Sequence, residues 1–82
     1  DEVRYEDLST EQRQRLFDRV EEEIMRMEAR KTDLEELMAD SNVFLDAGRM
    51  EEATKEYANL LDTLAGRMRQ WEELAELMSS EY

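Results

Sequence analysis

Residues 17–38 decide the fold, and they read FDRVEEEIMRMEARKTDLEELM. Apolar side chains recur in this stretch in steps of three, four or seven residues, which is the spacing of a helical seam that packs on another helix. The seam consists of Phe17, Val20, Ile24, Met27, Leu34 and Met38. Lys31 occupies the one seam position that lacks an apolar side chain. Either its stem packs while its ammonium reaches water, or it fixes the register of a partner helix.

Capping residues set the start of this first helix. Ser9 precedes Thr10-Glu11-Gln12, so the side chains of Ser9 and Gln12 can each accept a hydrogen bond from the other residue's backbone N–H. We predict a helix over about residues 10–39, preceded by a linker or lead-in at residues 1–8. Because the chain opens at Asp1 and its first residues lack periodicity, we expect a fragment of a longer protein.

A second helix is predicted over about residues 48–80, after a loop at about residues 40–47. Asp40, Ser41 and Asn42 favour a turn, and Asp46 can cap the helix that follows. The second apolar stripe is wider than the first and consists of Met50, Ala53, Tyr57, Leu60, Leu61, Leu64, Met68, Trp71, Leu74, Ala75 and Met78. So short a connection places consecutive helices antiparallel. The predicted fold is therefore all-α, an antiparallel two-helix hairpin, or intramolecular coiled coil, over residues 9–82.

Three residues have competing interpretations. Gly66 lies inside the second helix, where glycine costs about 1 kcal/mol relative to alanine. It either permits the close approach of another backbone or has no special role. Phe44 lies in the connection, and we expect it to fold back on Leu37 and Met50 rather than face a partner. Trp71 lies on the apolar stripe, and we expect it in the core rather than stacked on a nucleic-acid base.

Composition excludes several classes of function. The chain has 23 acidic and 11 basic residues, and its net charge of -12 opposes general attraction to phosphate backbones and anionic membranes. Without His or Cys it has no thiolate nucleophile, imidazole base or zinc site of the usual kind. Adjacent carboxylates such as those of residues 21–23 fan around a helix, so we expect no enzyme active site, metal site or cofactor in this chain. No apolar run is long enough to span a bilayer and no signal-peptide pattern occurs, so we expect a cytoplasmic location.

Five arginines are predicted to meet at one end of the hairpin. If Phe17 lies near Trp71, then these five lie at the same end, and they are Arg13, Arg15, Arg19, Arg67 and Arg69. They form a candidate nucleic-acid-binding site on an otherwise acidic rod. Pairing with acidic residues four positions away, as for Glu11 with Arg15, is the competing interpretation, and the sequence leaves both open.

Motifs at both ends of the chain carry a family resemblance. They are Leu8-Ser9 with Leu16 following, the acidic repeat from Ile24 to Glu28, the turn from Asp40-Ser41 to Phe44, and Arg69-Gln70-Trp71-Glu72-Glu73-Leu74. Together they resemble the C-terminal coiled-coil domain of ABC-F type ATP-binding-cassette ATPases, across nearly the whole chain. The Leu-Ser start and the Arg-x-Trp-Glu-x-Leu end are the distinctive parts.

The resemblance implies a non-catalytic accessory arm of an ABC-F ATPase. The parent protein would carry two ATPase cassettes upstream, with the ATP and Mg²⁺ sites in them, and would act at the ribosome in translation. The arm would contribute recognition of the ribosome or of structured nucleic acid. The alternative is a protein-interaction or oligomerisation module, in which Leu61, Met68 and Ala75 of the second helix pack on a second copy as a homodimer.

Overall fold

Helices account for nearly all of the chain. The computed structural model describes residues 4–80. A 3-10 turn at Tyr5–Asp7 precedes three helices, α1 (Thr10–Ala39), α2 (Ser41–Phe44) and α3 (Ala47–Ser79). Residues 4–80 contain no strand, so the prediction of an all-α chain dominated by two long helices is confirmed for that part of the sequence.

Each helix begins at a side chain that caps its free backbone N–H groups. At the start of α1, the backbone N–H of Gln12 donates to Ser9 Oγ at 3.1 Å and that of Ser9 donates to Gln12 Oε1 at 2.9 Å. Asp40 accepts from Asn42 N–H at 2.8 Å ahead of α2, and Asp46 accepts from Arg49 N–H at 3.1 Å ahead of α3. Caps of this kind contribute about 1 kcal/mol each, so the chain's helix boundaries are fixed locally.

The two long helices pack on each other through a narrow core. The fully or nearly fully buried side chains are Val20, Leu34, Val43, Ala53, Leu64 and Leu74. Around them α1 and α3 contact each other from the Phe17–Trp71 ring pair to the contact of Thr54 with Met38 near the connection. The resulting body measures 54 × 25 × 15 Å. Because so few side chains are buried, each one carries a large share of the stabilising free energy.

The connection between the long helices differs from the predicted loop. It contains α2, a single helical turn whose Val43 is 2% exposed, while Phe44 is 66% exposed. The expectation that Phe44 folds back on the helices is therefore wrong. Neighbouring residues on a helix point about 100° apart, so a turn that buries Val43 against the long helices directs Phe44 away from them.

Two of the ambiguous core residues have definite environments. Trp71 is half-buried, and its ring centroid lies 5.3 Å from that of Phe17 at an interplanar angle of 31°. Lys31 is half-buried in the seam and forms no ion pair with any residue between 4 and 80. Its position agrees with a packed stem and a hydrated ammonium.

Gly66 meets no neighbour that would require a glycine. Apart from the backbone of its own helix and its chain neighbours, no atom lies within 4 Å of where an alanine Cβ would be, and no glycine in the described chain has a positive φ. We therefore expect Gly66→Ala to raise the free energy of unfolding by about 0.5 to 1 kcal/mol, because alanine loses less backbone entropy in a helix. Urea denaturation followed by circular dichroism measures the change.

Gly48→Ala provides the control for this prediction. Gly48 lies in the first turn of α3, where a Cβ would sit 3.6 Å from Asp46 Oδ1, so the gain there should be smaller than at Gly66. A loss of stability in Gly66→Ala would contradict the open environment of Gly66 and would indicate that another backbone approaches it.

No helix within residues 4–80 is both long enough and apolar enough to cross a lipid bilayer.

Candidate nucleic-acid interface

Arg13 binds the segment that precedes α1. Its Nε donates to the carbonyl oxygen of Tyr5 at 2.8 Å, and its NH2 group donates to the carbonyl oxygen of Glu6 at 3.1 Å. The side chain is half-buried as a result. The guanidinium thus satisfies backbone carbonyls of the 3-10 turn, and much of its donor capacity is used within the chain.

Arg67 is likewise engaged inside the helix pair. Its Nε lies 2.6 Å from Glu23 Oε2 on α1, and its NH1 group donates to Gln70 Oε1 at 3.4 Å. Both partners of the ion pair are less than half exposed. Arg67 therefore links α3 to α1, and the sequence did not identify Glu23 as its partner.

The remaining three arginines are exposed. Arg15 forms the predicted pair with Glu11 at 2.9 Å, four residues apart on α1, and both side chains are highly exposed. Such a pair contributes only about 0.3 to 0.5 kcal/mol, so a phosphate can replace the carboxylate at small cost. Arg19 and Arg69 form no ion pair or side-chain hydrogen bond with the part of the chain that the structure describes.

Two open grooves at this end bring the exposed arginines together. One, of about 690 Å³, includes Arg15 and Arg19 on its wall and is completed by Tyr5, Leu8, Gln12, Leu16 and Gln70. The other, of about 530 Å³, includes Arg67 and Arg69 with Tyr5, Gly66, Gln70 and Glu73. Since Tyr5 and Gln70 line both grooves, the two grooves and their arginines adjoin each other. The structure thus brings all five arginines to one end, with two of them engaged internally.

The two arginines further along α1 face acidic partners, whereas Lys31 pairs with none within residues 4–80. Arg30 donates two hydrogen bonds to Glu56 of α3, from Nε to Oε2 at 2.5 Å and from NH2 to Oε1 at 2.9 Å. These bonds lower the pKa of Glu56 and raise that of Arg30. Arg26 lies 3.6 Å from Glu22 on its own helix. Arg26 and Arg30 therefore do not extend the unpaired guanidinium surface of Arg19 along α1.

A hydrogen bond between the helices also engages Tyr57. Its hydroxyl donates to Glu35 Oε2 at 2.8 Å, and this bond raises the pKa of Tyr57 above its usual value. Among residues 4–80, no group of three or more carboxylates, imidazoles or thiolates is arranged to hold a metal ion. We call the end of the helix pair that holds Arg13, Arg15, Arg19, Arg67 and Arg69 the arginine end. Its arrangement is suited to contacting anions through guanidinium groups.

The sequence pattern did not predict that Tyr5 lies at this end. Tyr5 belongs to the residues assigned to a linker, yet it lines both arginine grooves, and its backbone carbonyl accepts from Arg13. The only available signal was the aromatic residue itself within an otherwise polar stretch, and no periodicity indicated where it packs.

Comparison with known proteins identifies a family. No curated protein and no solved structure matches this chain. The family described as the ABC transporter C-terminal domain matches residues 7–76, which is most of the chain and includes both long helices almost completely. The chain belongs to the ABC transporter C-terminal domain family.

Proposed function

We propose that this domain is an antiparallel helical hairpin that serves as a non-catalytic accessory arm of an ABC-F ATPase. It gives the parent protein contact with the ribosome or with structured nucleic acid. Family membership supports an accessory region of an ABC protein. The ABC-F assignment rests on the resemblance of residues 8–16 and 69–74 to that subgroup.

The order of contacts between the helices supports the antiparallel hairpin. Phe17 meets Trp71, Glu23 meets Arg67, and Arg30 meets Glu56. Residue numbers rise along α1 while those of their partners fall along α3, as expected for helices that run in opposite directions. A connection of only a few residues between Ala39 and Ala47 favours the same arrangement.

The observation that carries the functional proposal is the pair of exposed, unpaired arginines. Arg19 and Arg69 have no acidic partner within residues 4–80, although the chain has twice as many acidic as basic residues. Arg15 adds a third exposed guanidinium in the same region. An acidic protein that leaves guanidinium groups free at one end can contact phosphates there while its remaining surface repels them.

The rest of the proposal concerns the parent protein. Upstream cassettes would bind ATP and Mg²⁺ and hydrolyse the nucleotide, and the cytoplasm is where such a protein would meet ribosomes. The hairpin itself would supply contact and positioning, with no cofactor of its own.

A binding titration with a charge-reversal variant tests the proposal. We expect the 82-residue chain to bind ribosomes or branched DNA at low salt, and Arg19→Glu/Arg69→Glu to weaken this binding about tenfold or more. Each lost phosphate contact should also reduce the slope of log affinity against log salt by about one. Fluorescence anisotropy with labelled DNA and sedimentation with ribosomes provide the measurements.

A matched variant separates local contact from overall repulsion. Arg49→Glu/Lys55→Glu produces the same change in net charge on the N-terminal part of α3, away from Arg69. We expect it to leave binding within about twofold of the unmodified chain. Equal weakening by the two double variants, or no binding at low salt, would reject the arginine end as a nucleic-acid interface.

The alternative is a homodimer or another protein complex formed through α3. Leu61 and Met68 support it, because they are 38% and 45% exposed and lie seven residues apart on one face. Apolar association persists or strengthens at high salt, whereas phosphate contact weakens. Sedimentation of the chain across a range of salt concentrations therefore distinguishes the two functions.

A further inference from the structure

A second surface, which shares no lining residue with the two grooves of the arginine end, combines apolar and acidic side chains. A groove of about 270 Å³ lies between α1 and α3 and has Ile24, Met25, Met68 and Trp71 as its apolar lining. Three carboxylates, those of Glu21, Glu28 and Glu72, complete the lining. We call this surface the methionine groove. Its volume lies just below the usual range for small-molecule sites and is suited to an anchoring side chain.

The two methionines are unusually accessible. Met25 is 65% exposed and Met68 is 45% exposed, so neither is used fully in packing α1 against α3. Met25 also lies beside the apolar seam of α1 rather than in it, since the seam passes through Ile24 and Met27. Methionine is flexible and polarisable, and exposed methionines on a groove are typical of surfaces that receive an apolar side chain of a partner.

The charges around the groove favour a partner with basic residues. All three ionisable residues that line it are glutamates, and no lysine or arginine is among the lining residues. A second copy of this chain, with a net charge of -12, would bring the same carboxylates against its own in a two-fold interface. Such like-charge contacts disfavour a homodimer here, whereas lysine or arginine flanking an apolar anchor would be attracted.

We propose that the methionine groove binds a basic amphipathic helix of another protein. An apolar side chain of that helix would insert between Met25 and Met68 and contact Trp71, while its lysine or arginine residues would face Glu21, Glu28 and Glu72. This is the helix-in-groove mode of recognition, with acidic residues selecting a basic ligand. The inference is independent of the arginine end, because the two surfaces share no lining residue.

A synthetic helix with these properties provides the probe. We would use a peptide of about 18 residues with leucine at every third or fourth position and lysine elsewhere, without tryptophan. Trp71 is the only tryptophan of the chain and lines the groove, so its fluorescence reports occupancy directly. We expect a saturable change in its emission with the lysine peptide. The same peptide with glutamate in place of lysine should produce no such change.

Substitutions within the groove should weaken binding without unfolding the chain. Met25→Gln/Met68→Gln keeps side-chain length and helix propensity but removes the apolar contact, and we expect a loss of about tenfold. Glu21→Gln/Glu28→Gln/Glu72→Gln should cause a loss of similar size and should abolish most of the salt dependence. Circular dichroism establishes that both variants retain their helices.

A charge-matched variant completes the test. Glu36→Gln/Glu52→Gln/Asp62→Asn removes three exposed carboxylates that do not line the groove, and it should bind within about twofold of the unmodified chain. Three results would overturn the proposal: no response of Trp71 to the lysine peptide, equal weakening by both carboxylate variants, or self-association of the chain that is lost in Met25→Gln/Met68→Gln. The last result would assign the groove to a homodimer.

Discussion

Replacing Leu74 with alanine is expected to lower the free energy of unfolding by about 3 kcal/mol. Leu74 has an exposed fraction of 0% and lies in the part of α3 that contacts α1 near Phe17 and Trp71. Removing its branched side chain loses buried apolar area and leaves a cavity that a two-helix core cannot refill from elsewhere. Domains are stable by only about 5 to 15 kcal/mol, so this single substitution removes a large fraction of the total.

Urea denaturation of Leu74→Ala and of Leu61→Ala measures the effect and its control. Leu61 is a leucine in the same helix but is 38% exposed, so its truncation should cost less than about 1 kcal/mol. Similar losses for the two variants would contradict the burial of Leu74. They would instead indicate that the exposed stripe of α3 is covered by a second molecule in solution.

Replacing Val43 with aspartate is expected to cost about 3 kcal/mol or more. Val43 is the buried residue of α2 and holds this single turn against the long helices. A carboxylate at that position would be desolvated without a partner, and Asp40 and Asp46, which cap α2 and α3, would add repulsion. Thermal and urea denaturation of Val43→Asp would show the loss.

The adjacent position supplies the matched control. Phe44→Asp introduces the same side chain one residue later, where the native residue is 66% exposed, and should change stability by about 0.5 kcal/mol at most. Burial raises the pKa of the carboxyl introduced by Val43→Asp above its unfolded value. The folded form therefore binds more protons between those two pKa values, and Val43→Asp should regain stability as pH falls through that window. A pH-independent loss, or equal losses at both positions, would contradict this description of α2.

The sequence predicted the features that depend on local spacing. The steps of three and four through Phe17, Val20 and Ile24 define α1, because helical periodicity is a property of neighbouring residues alone. The Ser9 capping box was equally predictable, since both of its hydrogen bonds join residues three positions apart. The gathering of the five arginines at one end of the helix pair also follows from periodicity, once Phe17 is placed beside Trp71.

Features that depend on the choice among several partners were not predictable. Arg67 has no acidic residue three or four positions away in its own helix, so its partner Glu23 is determined only by how the two long helices pack. The burial of Val43 rather than Phe44 depends on how one helical turn is rotated against its neighbours, and the sequence pattern contains no signal for that rotation. The methionine groove was missed for the same reason, because Met25 lies outside the periodic seam and gains meaning only beside Met68 and Trp71.

The hydrogen bonds from Arg13 to the carbonyl groups of Tyr5 and Glu6 have a mechanical consequence. They brace the segment that leads into a body 54 Å long, so this joint resists bending where an unbraced linker would swivel. In the proposed accessory arm, a stiff joint would couple the direction of the long helices to that of the segment that precedes α1, so a small rotation of that segment would displace the far end in proportion to the length of the helices. Removing that brace, as in Arg13→Ala, should leave the Ser9 capping box of α1 intact while loosening the orientation of residues 5–7 relative to α1.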